Sequence, residues 1–509
     1  MSDHPSPPPT GHDTYTSPLA SRNASPEMLR IWSPRHKFNT WRRIWLAIAE
    51  AQYEVTKDWD SPLVSREQVE ELRAVVERGI TDEELARASE IERDLRHDVM
   101  AHVHCLGESC QTAKPIIHLG CTSQDVVCNA DNLTWAAATN LTQRKLGVVV
   151  MAIGRSAREH AELPALGFTH YQVAQPTTVG KRCAMWGWDL HLAHERVEEA
   201  WSSLPFDALR GLKGATGTQA SFLNLFNDAA KVDQLERQFI SNLYYGNDAG
   251  EQWDATHPFT GQTYPRIIDA FLISDLASIA AVLHKVATDI RLLSNRKEID
   301  EPFGKNQIGS SAMPYKRNPM KCERICGLTR FVMNLVGNAY DTAATQWLER
   351  TLDDSSNRRL SLPEAFLALD GALDLMHQVA SGLVVNEAMV RKNLMAELPF
   401  LATENILMEA VKAGGDRQDL HEKIRVHAQA AGHRVKQEGL DNDLIERLRN
   451  DPAFAAVKDS LTEDALLDPM KYVGRSVEQT ERFLQEVIEP LRERYADELE
   501  NLGGSDRGV

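Results

Sequence analysis

The chain of 509 residues lacks the patterns that mark membrane and secreted proteins. It contains no run of eighteen or more apolar residues, and residues 1–14 carry prolines in place of an apolar signal core. The seven cysteines form no Cys-x-x-Cys pair and are odd in number, which is typical of reduced thiols and not of a disulfide framework. We therefore expect a cytoplasmic protein that neither crosses nor binds a membrane.

The chain is also short of positive charge. Its 56 lysines and arginines stand against 73 aspartates and glutamates, which gives a formal net charge of -17. This acidic balance argues against a nucleic-acid partner and against an anionic membrane surface. It does not exclude an anionic small molecule, because arginines gathered in a few segments still form a positive pocket. An apolar content of 42% is enough for a large buried core.

Proline is absent from the interior of three long segments, residues 131–161, 176–203 and 266–296. In the last segment apolar residues recur every three or four positions, as in a coiled-coil seam, at Ile268, Leu272, Leu276, Ile279, Leu283, Val286, Ile290 and Leu293. At a rise of 1.5 Å per residue, a helix of this length spans roughly 45 Å. Helices this long exceed one small domain, so the pattern predicts an all-α protein whose helical bundle is completed by other subunits.

Changes in composition suggest five parts. Residues 1–14 and 503–509 are predicted to be tails, the first of them disordered. Between them we predict an N-terminal helical domain over residues 15–122, a central long-helix domain over 123–384 and a C-terminal helical domain over 385–502. The last boundary rests on shorter helices that are predicted to be divided by Pro399, Gly414-Gly415, Pro452 and Pro469.

Residues 307–324 form the most unusual segment and read Gln-Ile-Gly-Ser-Ser-Ala-Met-Pro-Tyr-Lys-Arg-Asn-Pro-Met-Lys-Cys-Glu-Arg. Small residues come first, and two prolines then bracket Lys316, Arg317 and Asn318, so a flexible stretch precedes a stiff cationic turn. Hydroxyl groups on a mobile loop beside cations suit a site that closes over an anion and removes its proton. The alternative is a surface loop of turn-forming residues.

Polar residues also gather at other breaks between predicted helices, in segments 17–28, 95–104, 116–125, 166–176, 211–220, 260–265 and 346–359. Each has an ordinary structural explanation, such as a helix cap, a solvated helix turn or a surface histidine. The glycines of 211–220 lack the Gly-Lys-Ser/Thr ending of a P-loop, so we interpret that segment as a tight hairpin near the site. The pairs His97/His102 and His102/His104 lack the helical spacing of a zinc site, so we expect no metal.

The run Gly-Ser-Ser-x-Met-Pro-x-Lys-x-Asn-Pro resembles the signature of the fumarase/aspartase superfamily. The flanking segments are similar to those members that release fumarate from succinylated purine nucleotides, and the resemblance extends from about residue 15 to residue 502. It implies an all-α, three-domain fold whose long central bundle completes a 20-helix core in a homotetramer with shared active sites. It also implies a small-molecule nucleotide substrate and no cofactor, since the substrate's own carboxylate takes up the developing negative charge.

The resemblance also implies catalytic roles for individual residues. Ser310, the first serine of the pair, would be the base that removes the proton next to a carboxylate, and it needs activation because a hydroxyl is a weak base precursor. His170 would be the acid that protonates the leaving nitrogen, since an imidazole titrates near neutral pH. His97 would assist at the substrate, Lys316 and Asn318 would stabilise the carbanion, and Glu323 would orient His170.

A larger set would contact the substrate. By the same resemblance this set consists of Arg22, Asn23, Arg96, His97, Asp98, Thr122, Ser123, Gln262, Asn318, Arg324, Arg350, Ser355 and Arg359. Asn23 stands where the family has a tyrosine. Arginine suits the role because its planar fork binds phosphate or carboxylate through two hydrogen bonds.

Two alternatives remain at this point. Argininosuccinate lyase, fumarase and aspartase share the signature, but the flanking arginines favour a phosphorylated substrate. A structural protein that keeps the fold without activity, as lens crystallins related to the superfamily do, is a different class. The presence of Ser310, Lys316, His97 and His170 favours an enzyme.

Overall fold

The computed structural model describes residues 14–202, 208–245, 256–462 and 468–495. The predicted tails, residues 1–14 and 503–509, lie outside the described residues except for Thr14. In chain order the helices are α1 (Pro26–Ile31), α2 (Pro34–Thr56), α3 (Arg66–Arg78), α4 (Asp82–Leu95), α5 (Asp98–Ser109), α6 (Ser123–Glu159), α7 (Val179–Trp201), α8 (Ala220–Phe226), α9 (Ala229–Tyr245), α10 (Ile267–Asn295), α11 (Met320–Ala344), α12 (Asp353–Ser381), α13 (Glu387–Leu401), α14 (Thr403–Lys412), α15 (Arg417–Glu438) and α16 (Leu444–Asn450).

Short elements complete the described chain. A π-helical turn, Leu19–Asn23, precedes α1, and 3-10 helices follow α16 at Pro452–Val457 and Pro469–Tyr472. The described chain ends with helical turns at Ser476–Phe483, Leu484–Ile488 and Glu489–Arg494. Two antiparallel strand pairs join β1 (Pro164–Thr169) to β2 (Gln172–Thr178) and β3 (Ile299–Asp300) to β4 (Val384–Val385). The fold is all-α in class, as predicted.

The N-terminal helices begin where the sequence supplies caps. The Ser33 hydroxyl accepts a hydrogen bond from the backbone N–H of His36, and Pro34 occupies the first turn of α2, where its missing N–H costs nothing. Reciprocal capping boxes start α3 at Ser65 and α4 at Thr81. These local signals fix the starts of the helices that carry the first site residues.

The three predicted long segments are helical, as α6, α7 and α10. All eight residues of the seam predicted in α10 are buried. By length and composition alone α10 is the one helix of the described chain apolar enough to cross a membrane, but 61% of its apolar window is buried inside the protein. The seam therefore faces the protein interior, as the three-and-four spacing predicted.

One boundary was wrong. The sequence predicted a helix starting at or near Pro176, but Pro176 lies in strand β2, opposite Leu166, and α7 begins at Val179. The two strands form a hairpin in which a Cβ at position 167 would collide with the carbonyl oxygen of Gln175, so only glycine fits there. A second prediction also needs correction, because Pro399 lies inside α13, two residues before its end, and does not divide two helices.

The chain divides into two compact units, each formed by three separate stretches. Unit 1 comprises Met1–Lys145, Ala193–Ala281 and Gly327–Asp374, and unit 2 comprises Leu146–Leu192, Val282–Cys326 and Leu375–Val509. Within unit 2 the helices after residue 385 share a hydrophobic cluster that includes Ala402, Ile406, Leu420, Ala431, Leu444, Leu448, Phe454 and Leu461. The predicted domain boundaries remain a prediction.

Candidate active site

Unit 1 contains a cavity of about 820 Å³. Nine of the predicted site residues line it, namely Arg96, His97, Asp98, Thr122, Ser123, Gln262, Arg350, Ser355 and Arg359. They come from segments that are far apart in the sequence. The fold thus brings together residues that the sequence had linked only by their resemblance to family motifs.

The junction between α4 and α5 supplies the first group. Arg96 ends α4 in a left-handed backbone conformation with φ of 56°, and His97 is the N-cap of α5. The His97 Nδ1 accepts a hydrogen bond from the backbone N–H of Met100 at 3.3 Å, so the neutral ring carries its proton on Nε2. That Nε2 lies 3.4 Å from the Ser123 Oγ. His97 thus presents an N–H to the cavity beside a hydroxyl.

An ion pair holds Arg359 at the cavity wall. Its Nη2 donates to the Asp98 Oδ2 at 2.7 Å. Burial raises the pKa of Asp98, but the hydrogen bond and the charge of Arg359 outweigh burial and hold that pKa below its usual value. Asp98 is therefore ionised at neutral pH and orients the guanidinium.

The loop of Thr122 and Ser123 is fixed by Asp125, a residue that the sequence reasoning did not select. One oxygen of the buried Asp125 carboxylate accepts a hydrogen bond from the backbone N–H of Thr122 at 2.7 Å. Its other oxygen accepts from the backbone N–H groups of Lys213 and Gly214 at 2.9 and 3.0 Å, and from the buried guanidinium of Arg210. The glycine-rich segment 211–220 therefore meets the substrate loop through one carboxylate.

Further charged residues of the cavity wall, such as Arg266, Asp354 and Arg358, were also missed. The Asp354 carboxylate accepts hydrogen bonds from Arg266 at 2.7 Å and from Arg350 at 3.0 Å. The guanidinium of Arg358 donates to Asp269 at 2.6 Å and to Asp131 at 2.9 Å. The sequence signal for Asp354 and Arg358 was the charged run 350–359, which did not distinguish buried charges from exposed ones.

Two predicted residues of unit 1 do not line the cavity. Arg22 and Asn23 lie in the π-helical turn Leu19–Asn23, where Arg22 is exposed and the Asn23 Nδ2 donates to the carbonyl oxygen of Pro18 at 2.9 Å. Their place in the substrate-binding set stays a prediction.

His170 lies in unit 2, at the tip of the β1–β2 hairpin. It and Tyr171 form the two-residue turn, with φ of 53° and 56°. Turns with two left-handed residues match the twist of a hairpin but favour Asn-Gly, so a histidine and a tyrosine here store backbone strain. The imidazole of His170 is exposed, and within the described chain no hydrogen bond or ion pair joins it to Glu323, the residue predicted to orient it.

The signature loop, residues 307–319, also belongs to unit 2. The Ser310 Oγ accepts hydrogen bonds from the backbone N–H groups of Ala312 and Met313, at 3.4 and 3.1 Å. The Asn318 Nδ2 donates to the carbonyl oxygen of Gly309 at 2.9 Å, which closes the loop on itself. Lys316 is exposed in the loop, and Glu323 and Arg324 follow it in the first turns of α11. None of these residues lines the cavity of unit 1.

In unit 2 two backbone N–H groups donate to the Ser310 Oγ, and in unit 1 arginines line a cavity that suits an anionic ligand. Two family models match the chain, one described as Lyase over residues 21–334 and one described as Adenylosuccinate lyase C-terminus over residues 399–483. Among solved structures, the 3-carboxy-cis,cis-muconate lactonizing enzyme from Pseudomonas putida aligns with a TM-score of 0.77 and 25% identity, over 94% of this chain and 99% of that one. A fumarate lyase from Mesorhizobium sp. BNC1 aligns with a TM-score of 0.75 and 22% identity, over 92% and 99%. The fold and the first match define the chain as a lyase of the fumarase/aspartase superfamily.

Curated relatives narrow the family. The adenylosuccinate lyase of Saccharomyces cerevisiae is 46% identical over 492 residues, which cover 96% of this chain and 98% of that protein. Those of Schizosaccharomyces pombe and Schistosoma mansoni are 46% and 42% identical, over 96% and 95% of this chain and 99% and 97% of the relatives. The chain belongs to the adenylosuccinate lyase family.

Proposed function

We propose that the chain is a carbon-nitrogen lyase of purine biosynthesis. It eliminates fumarate from adenylosuccinate to give AMP, and from the succinylated aminoimidazole carboxamide ribonucleotide to give AICAR. The observation that carries this proposal is the cavity of about 820 Å³ with Arg96, Arg350 and Arg359 in its wall, in a chain of this family. A nucleotide that bears a phosphate and two carboxylates needs several such cations.

Substrate binding rests on groups that are already oriented. Asp98 holds the guanidinium of Arg359, and Asp354 holds that of Arg350, so little side-chain entropy is lost when an anion arrives. The hydroxyls of Thr122, Ser123 and Ser355 add neutral donors that suit carboxylate or phosphate oxygens. Gln262, Asn318 and Arg324 complete the proposed binding set, with Arg22 and Asn23.

The chemistry follows from four roles. Ser310 removes the proton on the carbon next to a carboxylate, and the two backbone N–H groups at its Oγ stabilise the alkoxide that does so. Lys316 and Asn318 stabilise the carbanion. His170 protonates the leaving nitrogen, oriented by Glu323 and assisted at the substrate by His97. The substrate's carboxylate takes up the charge, so no cofactor enters the reaction.

We also propose that the active enzyme is a cytoplasmic homotetramer with shared active sites. The length of α6, α7 and α10 supports this, because helices of 23 to 37 residues typically pack in a bundle that other subunits complete. Apolar side chains exposed along one stretch of α7 support association, with Met185, Trp188 and Leu192 each about half exposed. The acidic net charge supports the absence of nucleic-acid and membrane partners.

The decisive experiment supplies the purified protein with adenylosuccinate and measures fumarate and AMP. We expect stoichiometric release of both, and no product from argininosuccinate, aspartate or malate in parallel reactions. Ser310→Ala, prepared identically, controls for a contaminating lyase. Turnover of argininosuccinate instead of adenylosuccinate would overturn the assignment of the substrate, and no turnover of any of them would favour the structural-protein alternative.

A further inference from the structure

Lys37 lines the cavity among the arginines but has no role so far. It lies in the first turn of α2, where its backbone N–H donates to the carbonyl oxygen of Ser33 at 3.0 Å. Ser33 is also the N-cap of that helix, so the backbone that carries Lys37 belongs to a capped first turn. The ammonium therefore projects from a rigid element.

Aromatic rings hold the ammonium in place. The Lys37 Nζ lies 5.1 Å from the ring centroid of Phe38 and 4.9 Å from that of Trp41, both within the range of a cation-π interaction. His102 stacks on Phe38, with ring centroids 3.7 Å apart. Rings attract a cation but leave its three N–H groups without acceptors.

Lys37 also has no counter-charge of its own. Among the residues that the structure describes, its Nζ forms no hydrogen bond and no ion pair. Three carboxylates act on its charge: Asp98 is paired with Arg359 and Asp131 with Arg358, while Glu92 lines the same cavity without an ion pair to Lys37. Burial lowers the pKa of Lys37, and the positive charge of Arg359 lowers it further. A half-buried cation beside a second cation is unfavourable unless a ligand supplies the missing anion.

We propose that Lys37 binds the phosphoryl group of the nucleotide ligand together with Arg359. This inference rests on the proposed function, which supplies the nucleotide. A phosphate monoester carries nearly two negative charges near neutral pH and three acceptor oxygens. It can compensate two neighbouring cations at once, which a single carboxylate cannot, and it can accept from an arginine fork and an ammonium simultaneously.

The test compares AMP with adenosine, since the two differ only in the phosphoryl group. Calorimetric titration of wild type, Lys37→Met and Lys37→Arg should show AMP binding weakened by about tenfold or more in the methionine variant. The arginine variant should retain most of the affinity, and the affinity for adenosine should not change. Lys231→Met is the matched control, because Lys231 is also half-buried in unit 1 but lies outside the cavity wall.

Three results would overturn the proposal. The first is an unchanged AMP affinity in Lys37→Met. If the AMP affinity is unchanged but the KM for adenylosuccinate rises, Lys37 binds a carboxylate of the substrate and not the phosphoryl group. The second is an equal loss for AMP and adenosine, which would indicate a packing role. The third is a wild-type protein that does not bind AMP. Fumarate release by the wild type is measured separately, so failure of the proposed reaction and failure of the Lys37 subsite are told apart.

Discussion

The cavity wall of unit 1 and the signature loop and hairpin tip of unit 2 differ in how they are held. In the cavity wall, Arg350 and Arg359 are each fixed by a carboxylate of the same chain. In unit 2, His170 and Lys316 are exposed, and neither has a hydrogen bond or ion pair to a side chain of the described chain. Two arginines of the cavity wall are thus held by carboxylates of their own unit, whereas the imidazole of His170 and the ammonium of Lys316 are exposed.

The largest expected effect concerns the exposed groups of unit 2 that are assigned to proton transfer. Ser310→Ala and His170→Ala should each lower kcat by roughly two to four orders of magnitude, the usual contribution of a general acid or base. Because both side chains are at least partly exposed, circular dichroism and thermal unfolding should match wild type. Near-normal turnover in Ser310→Ala would move the base to Ser311 or to a histidine.

Mixing the two inactive variants sharpens the contrast further. After gentle dissociation and reassembly of His170→Ala with Ser310→Ala, roughly a quarter of the sites should draw both intact residues from different subunits of a symmetric oligomer. Fumarate release measured before and after mixing gives the recovery. If mass spectrometry of tagged chains shows hybrids but no activity returns, His170 and Ser310 act from one subunit.

The next effect concerns stability. Asp125→Ala should lower the free energy of unfolding by about 3–5 kcal/mol, because it leaves the buried guanidinium of Arg210 without its counter-ion. Urea denaturation of Asp125→Ala and of the exposed control Asp228→Ala measures the difference. Equal midpoints for the two variants would show that the Asp125 network does not organise unit 1.

Arg359→Ala tests whether the cavity wall of unit 1 binds the ligand. AMP binding, measured by titration, should weaken by about 1.5–3 kcal/mol, the range of charge-assisted hydrogen bonds. Arg155→Ala, outside the cavity wall, is the control. Unchanged AMP affinity would remove Arg359 from the site, whatever the effect on turnover.

The smallest effect is a pH dependence. Burial first, and then the positive charges of Arg42 and Lys37, lower the pKa of His102 to about 4. A histidine whose folded pKa lies below its unfolded value of about 6.5 binds its proton more readily when unfolded, so stability falls as the pH falls from 6.5 to 4. Replacing His102 with glutamine should reduce this acid-induced loss of unfolding free energy by about 1–2 kcal/mol. The effect is smaller than the full pKa difference between the folded and unfolded states would give, because the surroundings relax. Urea denaturation between pH 4 and 7 checks this, and an unchanged slope in His102→Gln would contradict it.

Much of the architecture was predictable because its causes are local. The three-and-four spacing of apolar residues predicted α10 and its buried face, and the motif residues Arg96, His97, Thr122 and Ser123 do share one cavity. The β1–β2 hairpin was missed because Pro176 reads locally as a helix start, and its role in a strand depends on pairing with Leu166.

The sequence by itself determined the long helices and their caps, since these depend on residues a few positions apart. Only the tertiary structure decided which charges are buried. Arg358 and Arg359 are neighbours in the chain and both line the cavity, yet Arg358 is buried against Asp269 and Arg359 is exposed beside Asp98. Successive residues of a helix point in directions about 100° apart, so two adjacent arginines meet different surroundings. Their partners lie 89 and 261 positions away, at separations that no local pattern encodes.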